Sequence, residues 1–318
     1  MRKAFRYLSE SERSEIEILK SKGYGVRSIA KTLGRSPNTI SYELKRVPSG
    51  YRASYAKIYA RRNLMYRRLQ WSKIESIPEL KAHVIDSLKK HWNPDEISGR
   101  MKKEKKPWYV SKSAIYEWLE TARGERYKRY LYACRPGHRH KKREEMQGPV
   151  LHMTNISLRS LGAENRSRFG HWESDCMVSK KGTKGGLSTH LERKSRLLSA
   201  QKVPNLTSLE KQKTLRKLSE MFFVKSITFD RGAENARHRE LGVPTYFCNA
   251  YHSWEKGAVE NANKMIRKFF PKKTDFSLIS QEEIDRIVSI INNKPRKILD
   301  YSTPLEVASG GRVINRVS

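Results

Sequence analysis

Three acidic residues, Asp175, Asp230 and Glu260, are spaced along the second half of the sequence. Their carboxylates would repel one another if they met, so they would stay ionised together only when cations neutralise them. Mg²⁺ suits this role because it binds a few carboxylates and keeps water and phosphate oxygens as its other ligands. Two such ions can activate the attacking oxygen and stabilise the leaving oxygen of a phosphoryl displacement. A triple of acids means little among 33 acidic residues, so the elements that carry it decide its weight.

From residue 168 onward the hydrophobic pattern changes from a helical to a strand period. "FGHWESDCMVS" predicts a strand with Asp175 in its middle, and "FVKSITFD" predicts a strand that ends on Asp230. "GGLSTHLER" and "RLLSAQKV" predict two strands between them, "PTYFCNA" a short fifth, and "EKGAVENANKMIRKFF" a helix that carries Glu260. A further helix is predicted over 207–221, with inward-facing Leu209, Leu215 and Leu218. We expect a mixed sheet flanked by helices, in which the three acids can converge.

The segment 1–50 carries the pattern of a helix-turn-helix. Ala30 allows two helices to cross closely, Gly34 permits the turn between them, and Ile40 buries one face of the next helix. Ser36 is the expected N-cap of that helix, with Pro37 at its first position. The same pattern fits an ordinary three-helix packing with a solvated polar face, but the charge of the chain favours DNA in the major groove. The expected DNA contacts are Arg35, Asn38, Thr39, Ser41, Tyr42, Lys45 and Arg46.

Three further domains are expected after this unit. The segment 51–121 combines a basic, tyrosine-rich helix with a second helix-turn-helix-like unit, in which Ser111 caps a candidate recognition helix bearing Lys112. The segment 122–160 is rich in basic residues and is predicted to be a linker that can contact successive phosphates of a nucleic acid. The catalytic domain with its helical end is expected over 161–318.

The composition points to a polyanionic partner. The chain has 318 residues, with 66 Lys and Arg against 33 Asp and Glu, a net charge of +33. Nucleic acid is the commonest partner of such a surface. A membrane is the rival, yet no apolar stretch approaches the ~18 residues of a spanning helix. We therefore expect a nucleic acid as partner, no membrane, and a soluble, intracellular protein.

The cysteines are too scattered to predict a disulfide framework, which fits a reducing compartment. Cys134 with His138 and His140 offers at most three ligands, whereas structural zinc takes four.

Two acids beside the triple leave alternatives open. Glu173 shares its strand face with Asp175 and could serve the local geometry or bind metal. Glu234, four residues after Asp230, could structure the loop or bind metal. Lys264 and Arg267 follow Glu260 by four and seven residues, on its side of the helix, where phosphate contact is favoured over plain solvation.

Together these motifs resemble the IS30 family of DDE transposases. The resemblance is carried by "GHWESDCMVSKKGTKGGLSTHLERKSRLL", "ITFDRGAENARH", "WEKGAVENANKMIRKFFPKKTDFS" and "NNKPRKILDYSTPLEV", and it covers nearly the whole chain. It implies an RNase H-like catalytic core preceded by all-α helix-turn-helix domains, and catalytic, metal-binding acids at Asp175, Asp230 and Glu260. The sequence differs from the usual family pattern at Arg231, where Asn is common, and in "AYHSWEKG", which adds Glu255.

The resemblance implies a transposase that binds the terminal inverted repeats of its element, cleaves a DNA strand and joins the freed 3′-hydroxyl to target DNA. The implied partner is double-stranded DNA, of the element ends and of the target. The implied location is the cytoplasm of a bacterium or archaeon, in association with the nucleoid. Two Mg²⁺ ions, for which Mn²⁺ can substitute, are the expected cofactors, and a homodimer or larger synaptic complex is the expected assembly. Two rivals remain. One is a transposase-derived DNA-binding regulator with impaired catalysis. The other is a structure-specific nuclease of the same fold, which would not explain two upstream helical units.

Overall fold

The computed structural model describes residues 7–47, 50–70, 72–132, 150–250 and 252–310. Its chain separates into two compact units, one up to Lys81 and one from Ala82 onward. The helices are α1 Glu10–Ser21, α2 Val26–Thr32, α3 Pro37–Leu44, α4 Ala53–Gln70, α5 Lys73–Ser76, α6 Pro78–Lys89, α7 Pro94–Lys103, α8 Lys112–Leu119, α9 Leu161–Glu164, α10 Ser208–Met221, α11 Gly257–Phe269, α12 Gln281–Asn292 and α13 Pro304–Gly310. The strands are β1 His171–Val178, β2 Gly186–Glu192, β3 Leu198–Val203, β4 Ser226–Phe229 and β5 Thr245–Phe247.

The helix-turn-helix of the first unit forms as its sequence predicts. Ile16, Ile29 and Ile40 are fully buried and pack α1, α2 and α3 into one cluster. Gly34 has a φ of +60°, in the left-handed region that favours glycine at a helix end. The Ser36 hydroxyl accepts a hydrogen bond from the Asn38 amide, which caps α3. The polar face of α3 is therefore presented by a rigid, capped helix.

The second helical unit, α6–α8, is joined to the C-terminal end of the chain by charged contacts. Arg100 on α7 binds both carboxylate oxygens of Glu306, at 2.8 and 2.6 Å. Lys294 donates to Glu96 over 2.6 Å, and both side chains are buried. Gly99 lies under the Tyr301 ring, where a Cβ would come within 2.1 Å of a ring carbon. These contacts hold α7 in place within the unit that also contains the sheet.

A five-stranded mixed sheet forms the centre of the second unit, in the order β3-β2-β1-β4-β5. The first three strands are antiparallel neighbours, and β4 and β5 continue the sheet in parallel with β1. One apolar cluster packs α11 and α12 on the sheet, and another packs α10 on it. This order of strands and crossover helices is that of an RNase H-like core. All five predicted strands are confirmed.

One predicted core position is wrong. Leu209 on α10 is 46 % exposed, whereas Leu215 and Leu218 are buried as expected. Leu209 lies six residues before Leu215, which places it about 120° around the helix from that residue. The buried face near it belongs instead to the polar residues Lys211 and Gln212.

Glu173 fixes α11 against β1. Its side chain is 1 % exposed; one carboxylate oxygen pairs with buried Arg193, and the other accepts from the Val259 amide over 3.1 Å. The Val259 amide belongs to the first turn of α11, where backbone N–H groups have no partner within the helix. Of the two roles that the sequence leaves open for Glu173, local geometry and metal binding, these contacts support the first. They also set the start of the helix that carries Glu260.

Glu173→Gln is expected to lower the free energy of unfolding of the sheet unit by about 3–5 kcal/mol, since it leaves the buried Arg193 without a counter-charge. Urea unfolding of the full chain measures this loss. The control is Glu120→Gln, which removes a surface ion pair with Lys128 and is expected to cost about 0–1 kcal/mol. A loss for Glu173→Gln no larger than that of the control would contradict the anchoring role.

The buried histidine at the start of β1 is expected to make the fold sensitive to acid. His171 is 6 % exposed and its Nδ1 lies 2.8 Å from the Ser226 hydroxyl. Burial, and then the nearby Lys225, lowers the pKa of His171 from 6.5 to about 4. The unfolded chain therefore binds more protons between these values, so stability present above pH 6.5 is lost as the pH falls toward 4.

We expect this group to contribute a loss of about 3 kcal/mol across that pH window. His171→Asn should flatten the dependence of the urea midpoint on pH between 7 and about 4.5. The exposed His152, changed to Asn, is the matched control. A wild-type pH profile in His171→Asn would show that other groups cause the acid sensitivity.

Candidate active site

Asp175 and Asp230 lie beside each other because of the register between β1 and β4. The two strands run parallel, with Glu173 opposite Thr228. Asp175 and Asp230 each lie two residues farther along, so the register directs both side chains to the same face. Asp175 is inside β1, whereas Asp230 follows the last residue of β4. The sheet therefore brings together two acids that are 55 positions apart in the sequence.

A lysine ammonium lies between these two carboxylates. Lys256 Nζ is 2.6 Å from Asp230 Oδ2 and 3.1 Å from Asp175 Oδ1. Burial acts to lower the pKa of Lys256, but the two carboxylates outweigh it and the pKa is raised. Burial acts in turn to raise the pKa of Asp230, and Lys256 outweighs it so that the pKa is lowered. The pKa shifts of Lys256 and Asp230 are those expected of a buried cation paired with two anions.

The remaining carboxylate oxygens accept hydrogen bonds from neutral donors. Asn263 Nδ2 donates to Asp175 Oδ2 over 2.8 Å, and Asn235 Nδ2 donates to Asp230 Oδ1 over 2.9 Å. The Gly232 amide donates to Asp230 Oδ1 over 3.3 Å. These contacts fix the orientation of each carboxylate from a different loop or helix.

Glu260 lies near this pair without joining it directly. It is half-buried in the first turn of α11, and its pKa is raised by burial and then by the Asp175 carboxylate. Burial and then Asp230 likewise raise the pKa of Glu234. Within the described parts of the chain, no three His, Cys, Asp or Glu side chains converge as a ready-made metal cluster. The geometry is a bridged pair of aspartates with two further acids close by.

The donor set of this pair fits a divalent cation that prefers oxygen. Asp175 Oδ1 and Asp230 Oδ2 already share one positive group, the Lys256 ammonium. Carboxylate oxygens are the ligands that Mg²⁺ takes from proteins. The carboxylates of Asp175 and Asp230 would hold such an ion, and Glu260 on α11 is close enough for Asp175 to raise its pKa.

The residues at which the chain differs from the usual family pattern brace the loops around the site. Arg231 Nε donates to the Cys248 carbonyl over 3.1 Å, and Glu255 accepts from the Asn249 amide over 2.7 Å. Trp254, in the turn before α11, is 68 % exposed and lies against His252 with ring centroids 4.4 Å apart. The differences therefore tie the β5–α11 loop to the strand ends.

Six of the ten expected DNA contacts have exposed side chains, and four are half-buried. The exposed ones are Asn38, Thr39, Tyr42, Lys45, Lys112 and Lys264. Ser41 is half-buried, and so are three arginines that already have partners: Arg35 pairs with Glu12, Arg46 pairs with Glu43, and Arg267 donates to the Pro271 and Val178 carbonyls. The central part of the predicted basic linker, including Cys134, His138 and His140, lies outside the described residues.

The sequence did not reveal the partners that hold the acids in place. Lys256 precedes Glu260 by four residues and Asn263 follows it by three. That spacing on one helix was the available signal, since residues three and four apart share a helix face. It could not show that the ammonium would reach across to β1 and β4.

Comparisons with known proteins agree with this architecture. The helix-turn-helix domain family matches residues 4–47. Transposase InsI of insertion sequence element IS30A from Escherichia coli K12 is 34% identical, over 98% of this chain and 85% of its own length. The transposase of IS1086 from Cupriavidus metallidurans is 33% identical, over 96% of this chain and 95% of its own.

Among solved structures, the catalytic core domain of BIV integrase matches with a TM-score of 0.35 and 20% identity, over 44% of this chain and 94% of that one. In the described part of the chain, no helix is long and apolar enough to cross a membrane. On the strength of the insertion-sequence relatives, which align over nearly its whole length, the chain belongs to the IS30 family of insertion-sequence transposases.

Proposed function

We propose that this protein binds the terminal inverted repeats of an insertion sequence, cleaves a DNA strand there and transfers the 3′-hydroxyl to target DNA. The observation that carries the proposal is the convergence of Asp175 and Asp230, from the neighbouring interior strands β1 and β4, on one cation position. Glu260 is close enough for Asp175 to raise its pKa. The family to which the chain belongs consists of transposases, and a polynucleotidyl transferase of this kind requires acidic ligands for its metal ions.

In this proposal the three acids act as metal ligands. A bound Mg²⁺ or Mn²⁺ would supply Lewis-acid polarisation of the phosphate and activation of the attacking oxygen. Asp175 and Asp230 would hold that ion from positions fixed by the register of β1 and β4. Glu260 contributes from α11, whose start is fixed by Glu173. Exposed Lys264, one helical turn farther along, is placed to contact the DNA backbone. No protein side chain has to bond covalently to DNA.

Sequence recognition is assigned to α3 of the first unit. Its capped N-terminal end exposes Asn38 and Thr39, the position from which a recognition helix reaches base edges. Tyr42 and Lys45 lie farther along on the exposed surface and suit backbone contacts. Exposed Lys112 on α8 offers a further contact from the second helical unit. Both ends of one element must be held for joining, so a dimer or larger assembly is the proposed active form.

The catalytic assignment is tested by strand transfer in vitro with the element's own ends and Mg²⁺. Asp230→Asn is expected to reduce joining by more than the roughly 10- to 100-fold typical of an outer-shell ligand partner. Glu282→Gln, at an exposed acid on α12, is the matched control and should join DNA like the wild type. Joining that survives Asp230→Asn would contradict the mechanism.

The same assay separates the two rivals. Specific binding by the wild-type protein without any cleavage would favour a DNA-binding regulator. Cleavage without joining would favour a structure-specific nuclease.

Substitutions in α3 test the recognition assignment. Asn38→Ala is expected to cut the preference for the terminal repeat over scrambled DNA by about 1–3 kcal/mol, because a base contact is lost. Lys45→Ala should weaken binding to both DNAs equally and reduce the salt slope by about one. Fluorescence anisotropy at several salt concentrations measures both effects.

Lys20→Ala, an exposed lysine on α1, is the control for the loss of one positive charge. An unchanged preference in Asn38→Ala would show that α3 does not read the sequence through this residue.

A further inference from the structure

Lys256 is more deeply buried than either of the carboxylates it joins. The lysine side chain is 7 % exposed, against 22 % for Asp175 and 32 % for Asp230. Besides the two carboxylate oxygens, Nζ lies 3.3 Å from the Ser174 carbonyl oxygen. An ammonium has three N–H donors, so these three contacts use its full capacity. The side chain is therefore committed to the acids rather than directed at solvent.

The backbone of Lys256 is held in a position that favours this contact. Lys256 directly precedes α11 and ends the turn Ser253–Lys256. Glu255, its neighbour, accepts from both the amide and the side chain of Asn249, over 2.7 and 2.9 Å. The Glu173 carboxylate fixes the first turn of α11 on the other side. The ammonium is thus tethered to the two acids from a structured loop.

The charge balance gives this contact its consequence. Two aspartates held side by side repel each other unless a cation lies between them. The Lys256 ammonium supplies one positive charge from within the chain, close to the oxygens that a divalent ion would bind. Lys211, the other buried lysine nearby, does not duplicate this role, because its Nζ contacts the Asp175 backbone carbonyl and Ser188 instead of a carboxylate.

We propose that Lys256 is a built-in counter-ion, which holds Asp175 and Asp230 together and which a divalent cation must displace in order to bind them. The inference rests on the proposed function, since it concerns the same acids. It makes Lys256 a positioning residue with two opposed effects. The ammonium stabilises the fold around the acids, and it lowers the affinity of the site for the metal.

The test compares wild type with Lys256→Met, which keeps the length of the side chain and removes its charge. Calorimetric titration of the full chain with Mn²⁺, without DNA, is expected to show binding about tenfold tighter or more in the variant, because a competing charge has gone. Thermal unfolding without metal should occur at a lower temperature in the variant, and saturating Mn²⁺ should raise that temperature more than in wild type. Lys217→Met, an exposed lysine on α10, should behave like wild type in both measurements.

A double variant keeps the test decisive if Lys256→Met folds poorly. Adding Asp230→Asn removes one negative charge, so the double variant should regain thermal stability without metal while losing Mn²⁺ affinity. No recovery in the double variant would overturn the inference, because loss of packing rather than charge imbalance would then explain the defect. Mn²⁺ binding by Lys256→Met that is equal to wild type or weaker would overturn it as well.

Asp175→Asn distinguishes this failure from that of the proposed function. Retained Mn²⁺ binding and strand joining in that variant would contradict the proposed catalytic site itself. Loss of both, together with unchanged affinity in Lys256→Met, would leave the catalytic site standing and remove only the counter-ion role.

Discussion

The repulsion between two neighbouring carboxylates is the constraint around which the unit that contains the sheet is organised. The parallel pairing of β1 and β4 fixes Asp175 beside Asp230 and does not itself supply a compensating positive charge. The Lys256 ammonium supplies it from the turn before α11, at 2.6 and 3.1 Å. The sheet thus concentrates negative charge, the turn Ser253–Lys256 carries the compensating cation, and α11 carries a third acid.

The position of α11 depends in turn on a second buried charge. Glu173 pairs with Arg193 and accepts from the first turn of the helix. Glu173 and Asp175 lie two residues apart on the same face of β1, so one strand supplies both a structural anchor and a candidate ligand. A chain in which Glu173 bound metal would lose this anchor. The acids differ in burial accordingly: Glu173 is 1 % exposed and paired with Arg193, whereas Asp175 and Asp230 are 22 % and 32 % exposed.

Local pattern predicted most of the fold, because strand alternation, caps and turn glycines act over a few residues. The strands, the capping by Ser36 and the turn at Gly34 follow from such signals. The same signals fail at Leu209, whose position around α10 leaves it exposed, because an apolar side chain in the first turn of a helix can fall outside the buried face.

The site was harder to predict, because its contacts join residues far apart in sequence. The side-chain partners of Asp175 and Asp230 come from α11, from the turn before it and from the loop after β4. The ion pairs of two arginines are equally hidden from composition. Arg35 pairs with Glu12 across a tertiary contact, and Arg46 pairs with Glu43 through local helix geometry. A basic residue beside a recognition helix can serve the fold instead of DNA. The two uses look alike in a sequence.

The metal role of Asp175 and Asp230 is tested most directly by locating Mn²⁺ through anomalous X-ray scattering, in crystals of the protein grown with the ion. We expect an anomalous peak within coordination distance of both Asp175 and Asp230, with the Lys256 ammonium moved away from the space between them. A peak elsewhere, or a Lys256 ammonium that still bridges the two carboxylates at saturating Mn²⁺, would contradict it.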